Sequence, residues 1–156
     1  LLIRIPEGLK GTCAELVQNI DLAPTFLDIA NVPVPDDIQG ISMLPLLQGK
    51  KPGKHRDALY YHYHEFPAEH MVRKHYGIRD ERYKLIRFYD DGAEAGNRRG
   101  IKDYEKAKIR LDEWELYDLK ADPSEMNNIY GKPGTRQITR ILKSKLKKLR
   151  VQYGEL

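Results

Sequence analysis

Arg73-Lys74-His75 puts two cations and an imidazole in consecutive positions. That composition suits recognition of sulfate, phosphate or carboxylate, because guanidinium and ammonium groups make charge-assisted bonds to such oxygens. The same triplet also suits a solvated sheet edge, where lysine discourages pairing with another strand. His62 and His64 stand at i and i+2 of a period-two pattern, so both fall on one strand face and can reach one metal ion, with Glu65 adjacent. Lacking a third ligand held by a rigid frame, they read as a polar sheet face or loop edge rather than as a metal site. Cys13 is the lone cysteine, which excludes an internal disulfide and makes it a candidate nucleophile. Its neighbours Ala14-Glu15-Leu16-Val17 supply no base and no CxxC partner, so it reads as a small, partly buried residue.

The chain around these residues has 156 residues, 40% of them hydrophobic and 32% charged, with a formal net charge of +4. That length accommodates one ordinary domain or a piece of a larger protein. The charge favours anionic partners without requiring nucleic acid. No apolar run reaches the roughly 20 residues of a membrane span. The start, Leu1-Leu2-Ile3-Arg4-Ile5-Pro6, lacks a signal-peptide pattern and reads as a strand already under way, hence as the continuation of a longer protein.

Residues 1–50 carry helix signals. Asp21 is placed as an N-cap, Pro24 fits a first turn, and Leu22, Phe26, Ile29 and Ala30 form a stripe that Asn31 stops. Ser42 caps a second short helix of Met43, Leu44, Leu46 and Leu47, closed by Gly49. Gln48–Arg56 is a basic connector and the expected domain boundary. Beyond it the pattern turns to strands. Ala58–His64 alternates strictly, and Met71–Phe88 reads as a hairpin about the turn Asp80-Glu81-Arg82, with Tyr83–Phe88 as its second strand. Trp114–Leu119 is a fourth strand. Asp90–Arg110 is a polar loop or insertion. From Thr135 to Tyr153, Ile138, Ile141, Leu142, Leu146 and Leu149 recur at helical spacing. The acid-free run Lys132–Arg150 has only Tyr153 as an aromatic within reach, so it reads as a helix's solvated face rather than a base-stacking surface. The sum is an α+β unit, a four-stranded antiparallel sheet packed on a long C-terminal amphipathic helix.

Four blocks, in order, carry a resemblance. They are Asn19-Ile20-Asp21-Leu22-Ala23-Pro24-Thr25-Phe26-Leu27-Asp28-Ile29-Ala30, Gln39-Gly40-Ile41-Ser42-Met43-Leu44-Pro45-Leu46-Leu47-Gln48-Gly49, Gly77-Ile78-Arg79-Asp80-Glu81-Arg82-Tyr83-Lys84-Leu85-Ile86 and Trp114-Glu115-Leu116-Tyr117-Asp118-Leu119-Lys120-Ala121-Asp122-Pro123-Ser124-Glu125. Together they resemble the C-terminal part of type I, formylglycine-dependent sulfatases of the alkaline-phosphatase-like superfamily. The resemblance implies that residues 1–50 are the tail end of an α/β catalytic domain and residues 51–156 the sulfatase C-terminal domain. It implies a formylglycine made within a C/S-x-P/A-x-R motif and a Ca2+ ion in the full-length enzyme. Cys13 does not match that motif, and the calcium ligands belong to the N-terminal part. No catalytic residue, no metal ligand and no bound cofactor is therefore assigned to this chain, and it is expected to be inactive alone.

Tyr60–Glu65 and Ala68–Gly77 are most similar to bacterial glycan sulfatases, including N-acetylglucosamine-6-sulfatases. In such enzymes the small domain forms one wall of the substrate pocket. His75, then Lys74 and Arg73, are the expected contacts to a sulfated carbohydrate, binding sugar hydroxyls or a neighbouring acidic group rather than cleaving the ester. The expected partners are that substrate and the N-terminal catalytic domain, with no nucleic acid and no membrane span. The family implies a periplasmic, cell-surface or extracellular location. Two alternatives stay open: a phosphodiesterase or phosphomutase of the same superfamily, and a freestanding basic module binding glycan or nucleic acid.

Overall fold

The computed structural model describes residues 1–6, 10–50, 56–66, 72–89 and 112–156. The expected insertion at 90–110 lies outside the described residues, as do His55 and His70. The chain divides into two compact units, Leu1–Leu59 and Tyr60–Leu156.

The first unit is built on a 3-10 turn, Asn19–Asp21, running directly into helix α1, Leu22–Ile29. Asp21 does occupy the position preceding α1, yet its side chain makes no cap bond. It accepts instead from the Gln18 amide at 2.7 Å and the Ile41 amide at 2.9 Å. Both Arg56 terminal nitrogens also donate to it, Nη2 at 2.7 Å. Asp21 is fully buried and the Arg56 side chain nearly so. Asn31 ends α1 in a left-handed conformation, φ 55°. The Val32 amide returns to the Leu27 carbonyl and the Asn31 amide to that of Asp28, satisfying the carbonyls a helix end leaves open. Helix α2, Leu44–Leu47, closes the same way at Gly49. Ser42 stands one residue before its N-cap, its hydroxyl accepting from the Leu44 amide and donating to Asp28. Thr25 ties the two helices, donating to the Asp21 carbonyl and accepting from the Met43 amide.

Two further expectations fail in this unit. Leu1–Ile5 forms no strand, and Leu1 and Leu2 are 81% and 97% exposed. A strand needs a ladder partner for its amides and carbonyls, and no described segment of the unit is a strand that could supply one. Cys13 is exposed rather than partly buried, in a segment that forms neither helix nor strand.

The second unit holds all but the first residue of β1 (Leu59–Tyr63), then β2 (His75–Arg79), β3 (Tyr83–Tyr89) and β4 (Asp112–Asp118), side by side in that order, and helix α3 (Arg136–Gln152). Strands β2/β3 and β3/β4 pair antiparallel, with Gly77 opposite Ile86, Ile78 opposite Leu85 and Leu85 opposite Leu116. The β2–β3 turn falls at Asp80–Tyr83 because the Asp80 carboxylate accepts from the Arg82 and Tyr83 amides at 2.8 and 2.6 Å, an aspartate-directed turn. Arg82 then donates to Asp118 at 2.8 Å, linking the turn to the end of β4.

Helix α3 packs on β2 and β3. Its Leu142 and Leu146 join Ile78, Leu85 and Leu116 in the buried core. Ile141, expected on the same stripe, is 44% exposed, since one position along a helix rotates a side chain by about 100°.

Candidate functional site

Alternation along β1 and β2 sorts their aromatic and imidazole groups onto two faces. On one, Tyr60, His62 and Tyr76 meet the C-terminal end of α3. Tyr60 stacks on Tyr153 at 5.8 Å, and the Arg150 guanidinium lies 4.2 Å from the Tyr76 ring centre. On the other, His75 lies among Tyr61, Tyr63 and Phe88, with ring centres 5.9, 5.5 and 5.2 Å away.

His75 opens β2 and is half-buried. Its Nδ1 lies 2.7 Å from the Arg73 carbonyl oxygen. Only a protonated nitrogen can donate there, so in the neutral ring Nε2 carries the lone pair and can accept from a hydroxyl. Tyr63 stacks along the ring at 21° and restricts its orientation. Arg73 is exposed, its guanidinium 5.7 Å from the Phe66 ring centre. Lys74, by contrast, is 7% exposed. The structure thus brings Arg73 and His75 together at an accessible strand end, while Lys74 between them turns inward.

Gly77 makes this face possible. A Cβ there would lie 2.5 Å from the Tyr61 hydroxyl and 2.8 Å from the Leu85 carbonyl oxygen. Without one, Tyr61 can lie across the sheet, where burial pushes its phenol well above the ordinary range, with Glu125 and Glu115 adding to the effect. Gly77→Ala is expected to destabilise the protein by about 2 kcal/mol, the usual cost of overpacking. A lowered urea midpoint with an unchanged slope is the corresponding measurement.

A second cluster lies on the helix face. His62 Nδ1 is 2.9 Å from Glu155 Oε2, and His64 Nε2 is 3.7 Å from Glu155 Oε1. The two imidazole centres are 3.6 Å apart. The hydroxyl of Tyr89 lies 2.6 Å from His62 Nε2, and that of Tyr60 lies 3.2 Å from Nδ1. Burial pushes the His62 pKa down; the Glu155 hydrogen bond opposes this, and the net shift is downward.

Glu155 reaches His62 because the chain reverses at Gly154, φ 73°, just past the end of α3. The Glu155 amide bonds back to the Arg150 carbonyl at 2.8 Å, and Arg150 Nη2 donates to the Glu155 carbonyl at 3.1 Å. Sequence reasoning found the histidine pair but looked for its partner in Glu65. The true neighbour is 93 residues away, and its only local signal is a glycine placed to reverse the chain after the helix.

Among the described residues, the side chains that converge do not form the oxygen-rich site that the calcium implied for the full-length enzyme takes. Calcium takes six to eight oxygen ligands. Among the described residues, the carboxylates of Asp21 and Asp28 are engaged by Arg56 and by Ser42. The metal-binding types that converge are two imidazoles and one carboxylate. Cys13 lacks the sequence context for a formylglycine. No catalytic step is assigned to this chain.

A family model for the C-terminal region of N-sulphoglucosamine sulphohydrolase matches residues 1–96 and 101–152. The chain belongs to this sulfatase family. It is 46% identical over 159 aligned residues to an N-acetylglucosamine-6-O-sulfatase of Bacteroides thetaiotaomicron, covering 99% of this chain and 25% of the relative. Among solved structures it is similar to BT4656 in complex with its substrate D-glucosamine-2-N,6-O-disulfate. There the TM-score is 0.71 and the identity 47%, over 86% of this chain and 24% of that one. A phosphonate monoester hydrolase of Agrobacterium radiobacter shares the fold, with a TM-score of 0.59 and 24% identity over 85% of this chain and 24% of its own. The sulfatase-family chain therefore spans about a quarter of the length of the relatives it matches. It has the α+β architecture expected of a sulfatase C-terminal domain, and no described helix is long and apolar enough to cross a membrane.

Proposed function

We propose that the full-length protein carrying this chain is a sulfuric ester hydrolase that removes sulfate from a sulfated amino sugar of a glycan, and that this region completes its fold and one wall of its substrate pocket. The observation that carries the reading is the 46% identity, sustained over 99% of the chain, to an N-acetylglucosamine-6-O-sulfatase. Formylglycine and Ca2+ are supplied by the N-terminal catalytic domain. The exposed apolar residues Leu1, Leu2, Phe26 and Ile29 suit a unit that the rest of such a domain covers. Residues 1–50 are the end of that domain, residues 51–156 the C-terminal domain, and a periplasmic or extracellular location accords with a polymeric glycan substrate.

His75 accepts a hydrogen bond from a sugar hydroxyl through Nε2, held in register by its Nδ1–H bond to the Arg73 carbonyl. Arg73 offers an exposed guanidinium to an anionic substituent on the sugar or its neighbour. Lys74 is 7% exposed and presents little surface to the sugar. In the full-length enzyme, His75→Ala is expected to lower kcat/KM on 6-sulfated glucosamine about five- to tenfold, the worth of one hydrogen bond. Turnover of a small aryl sulfate, which lacks the sugar hydroxyls, changes little. Equal kinetics of variant and wild type on the sugar would remove His75 from the site.

A further inference from the structure

We propose that His62, His64 and Glu155 form a binding site for a divalent transition-metal ion, with zinc as the occupant. Two imidazole nitrogens and one carboxylate oxygen are a donor set that zinc accepts, with water as the fourth ligand. All three ligand atoms lie within 4.8 Å of one another. Four-coordinate zinc, with bonds of roughly 2.1 Å, places its ligands about 3.4 Å apart. His64 Nε2 stands 3.7 Å from Glu155 Oε1, close to that spacing, while His62 faces the other oxygen, Oε2, of the same carboxylate. The 2.9 Å between His62 Nδ1 and Glu155 is a hydrogen bond in which a proton stands where the ion would. Metal entry takes the Nδ1 lone pair of the Nε2–H tautomer, so the neutral ring's single proton moves from Nδ1 to Nε2, and the gap opens by about half an ångström.

The frame around the three residues is what a ligand pair on a strand otherwise lacks. His62 lies on β1 and His64 one residue past its end, with their ring centres 3.6 Å apart, and Glu155 is fixed by the backbone turn at Gly154 and by the Arg150 guanidinium on its carbonyl. Metal at His62 Nδ1 leaves Nε2–H to donate to the Tyr89 hydroxyl 2.6 Å away, the outer hydrogen bond that orients and polarises a histidine ligand. His64 is 63% exposed, which gives the ion and its water a route from solvent. Softer imidazole donors favour zinc over calcium.

The test uses the full-length protein, stripped of transition metals and kept in calcium-containing buffer, then titrated with ZnCl2 and, separately, CoCl2. Wild type is expected to take up one zinc equivalent more than His64→Ala or Glu155→Gln, and to give a four-coordinate cobalt absorption that both variants lack. Tyr89→Phe should retain the site with about tenfold weaker affinity. His64 is exposed, so its replacement should leave the metal-free thermal midpoint unchanged. Equal zinc uptake and equal cobalt spectra in wild type and His64→Ala would overturn the assignment, leaving a histidine–glutamate hydrogen bond alone.

Discussion

Asp21→Ala is expected to destabilise the protein by about 3–5 kcal/mol, because it leaves the buried Arg56 guanidinium with no counter-charge. It also strands the Gln18 and Ile41 amides, which now end on the carboxylate. The effect should far exceed loss of an ordinary helix cap, about 1 kcal/mol, and the difference separates a hub from a cap. Burial raises the Asp21 pKa, but the bonds from Arg56, Ile41 and Gln18 outweigh it and hold the carboxyl below its usual range. A depressed folded-state value means that the stabilisation is present above the unfolded value, about 3.9, and is lost as pH falls through the lower folded value. Urea midpoints of wild type should therefore drop below about pH 4. The gap to Asp21→Asn, which has no carboxyl to protonate, should narrow over the same range.

Gly40→Ala should cost about 3 kcal/mol or more, since the overlap is with backbone and no rotamer change relieves it. A Cβ at Gly40 would sit 2.0 Å from the Ile20 carbonyl oxygen and 3.1 Å from the Asp21 nitrogen. Displacing that peptide also moves the Ile41 amide off the Asp21 carboxylate. Gly40→Ala and Asp21→Ala thus act on one network, and the double variant is expected to lose less than the sum of the two. Chemical denaturation of the four proteins gives the cycle; strict additivity would mean that the glycine serves a separate purpose.

Periodicity alone reveals most of the second unit. Strand alternation in Ala58–His64, the acidic turn at Asp80 and the leucine spacing of α3 are local signals, and they fall where the elements lie. Asn31 and Gly49 likewise announced helix ends through their tolerance of left-handed backbone. What stayed hidden depends on distance along the chain. Asp21 has the sequence setting of a cap, and only the fold brings Ile41 and Arg56 to its carboxylate. Glu155 had no visible link to His62 until α3 was folded back on the sheet. Arg73 and Lys74 look equivalent in sequence, yet one is exposed and the other buried. Leu1–Ile5 has strand composition, but composition supplies no ladder partner.

The proposed activity, sulfate removal from a sulfated amino sugar by the full-length protein, is set against ester hydrolysis at phosphorus, because a phosphonate monoester hydrolase shares the fold. The direct measurement is sulfate release by the full-length protein from N-acetylglucosamine 6-sulfate, alongside phosphate release from the matching 6-phosphate under identical conditions. The sulfated sugar should be turned over with the higher kcat/KM, and the isolated 156 residues should release neither product. Preferential hydrolysis of the phosphate ester, or no sulfate release from any 6-sulfated glucosamine, would contradict it.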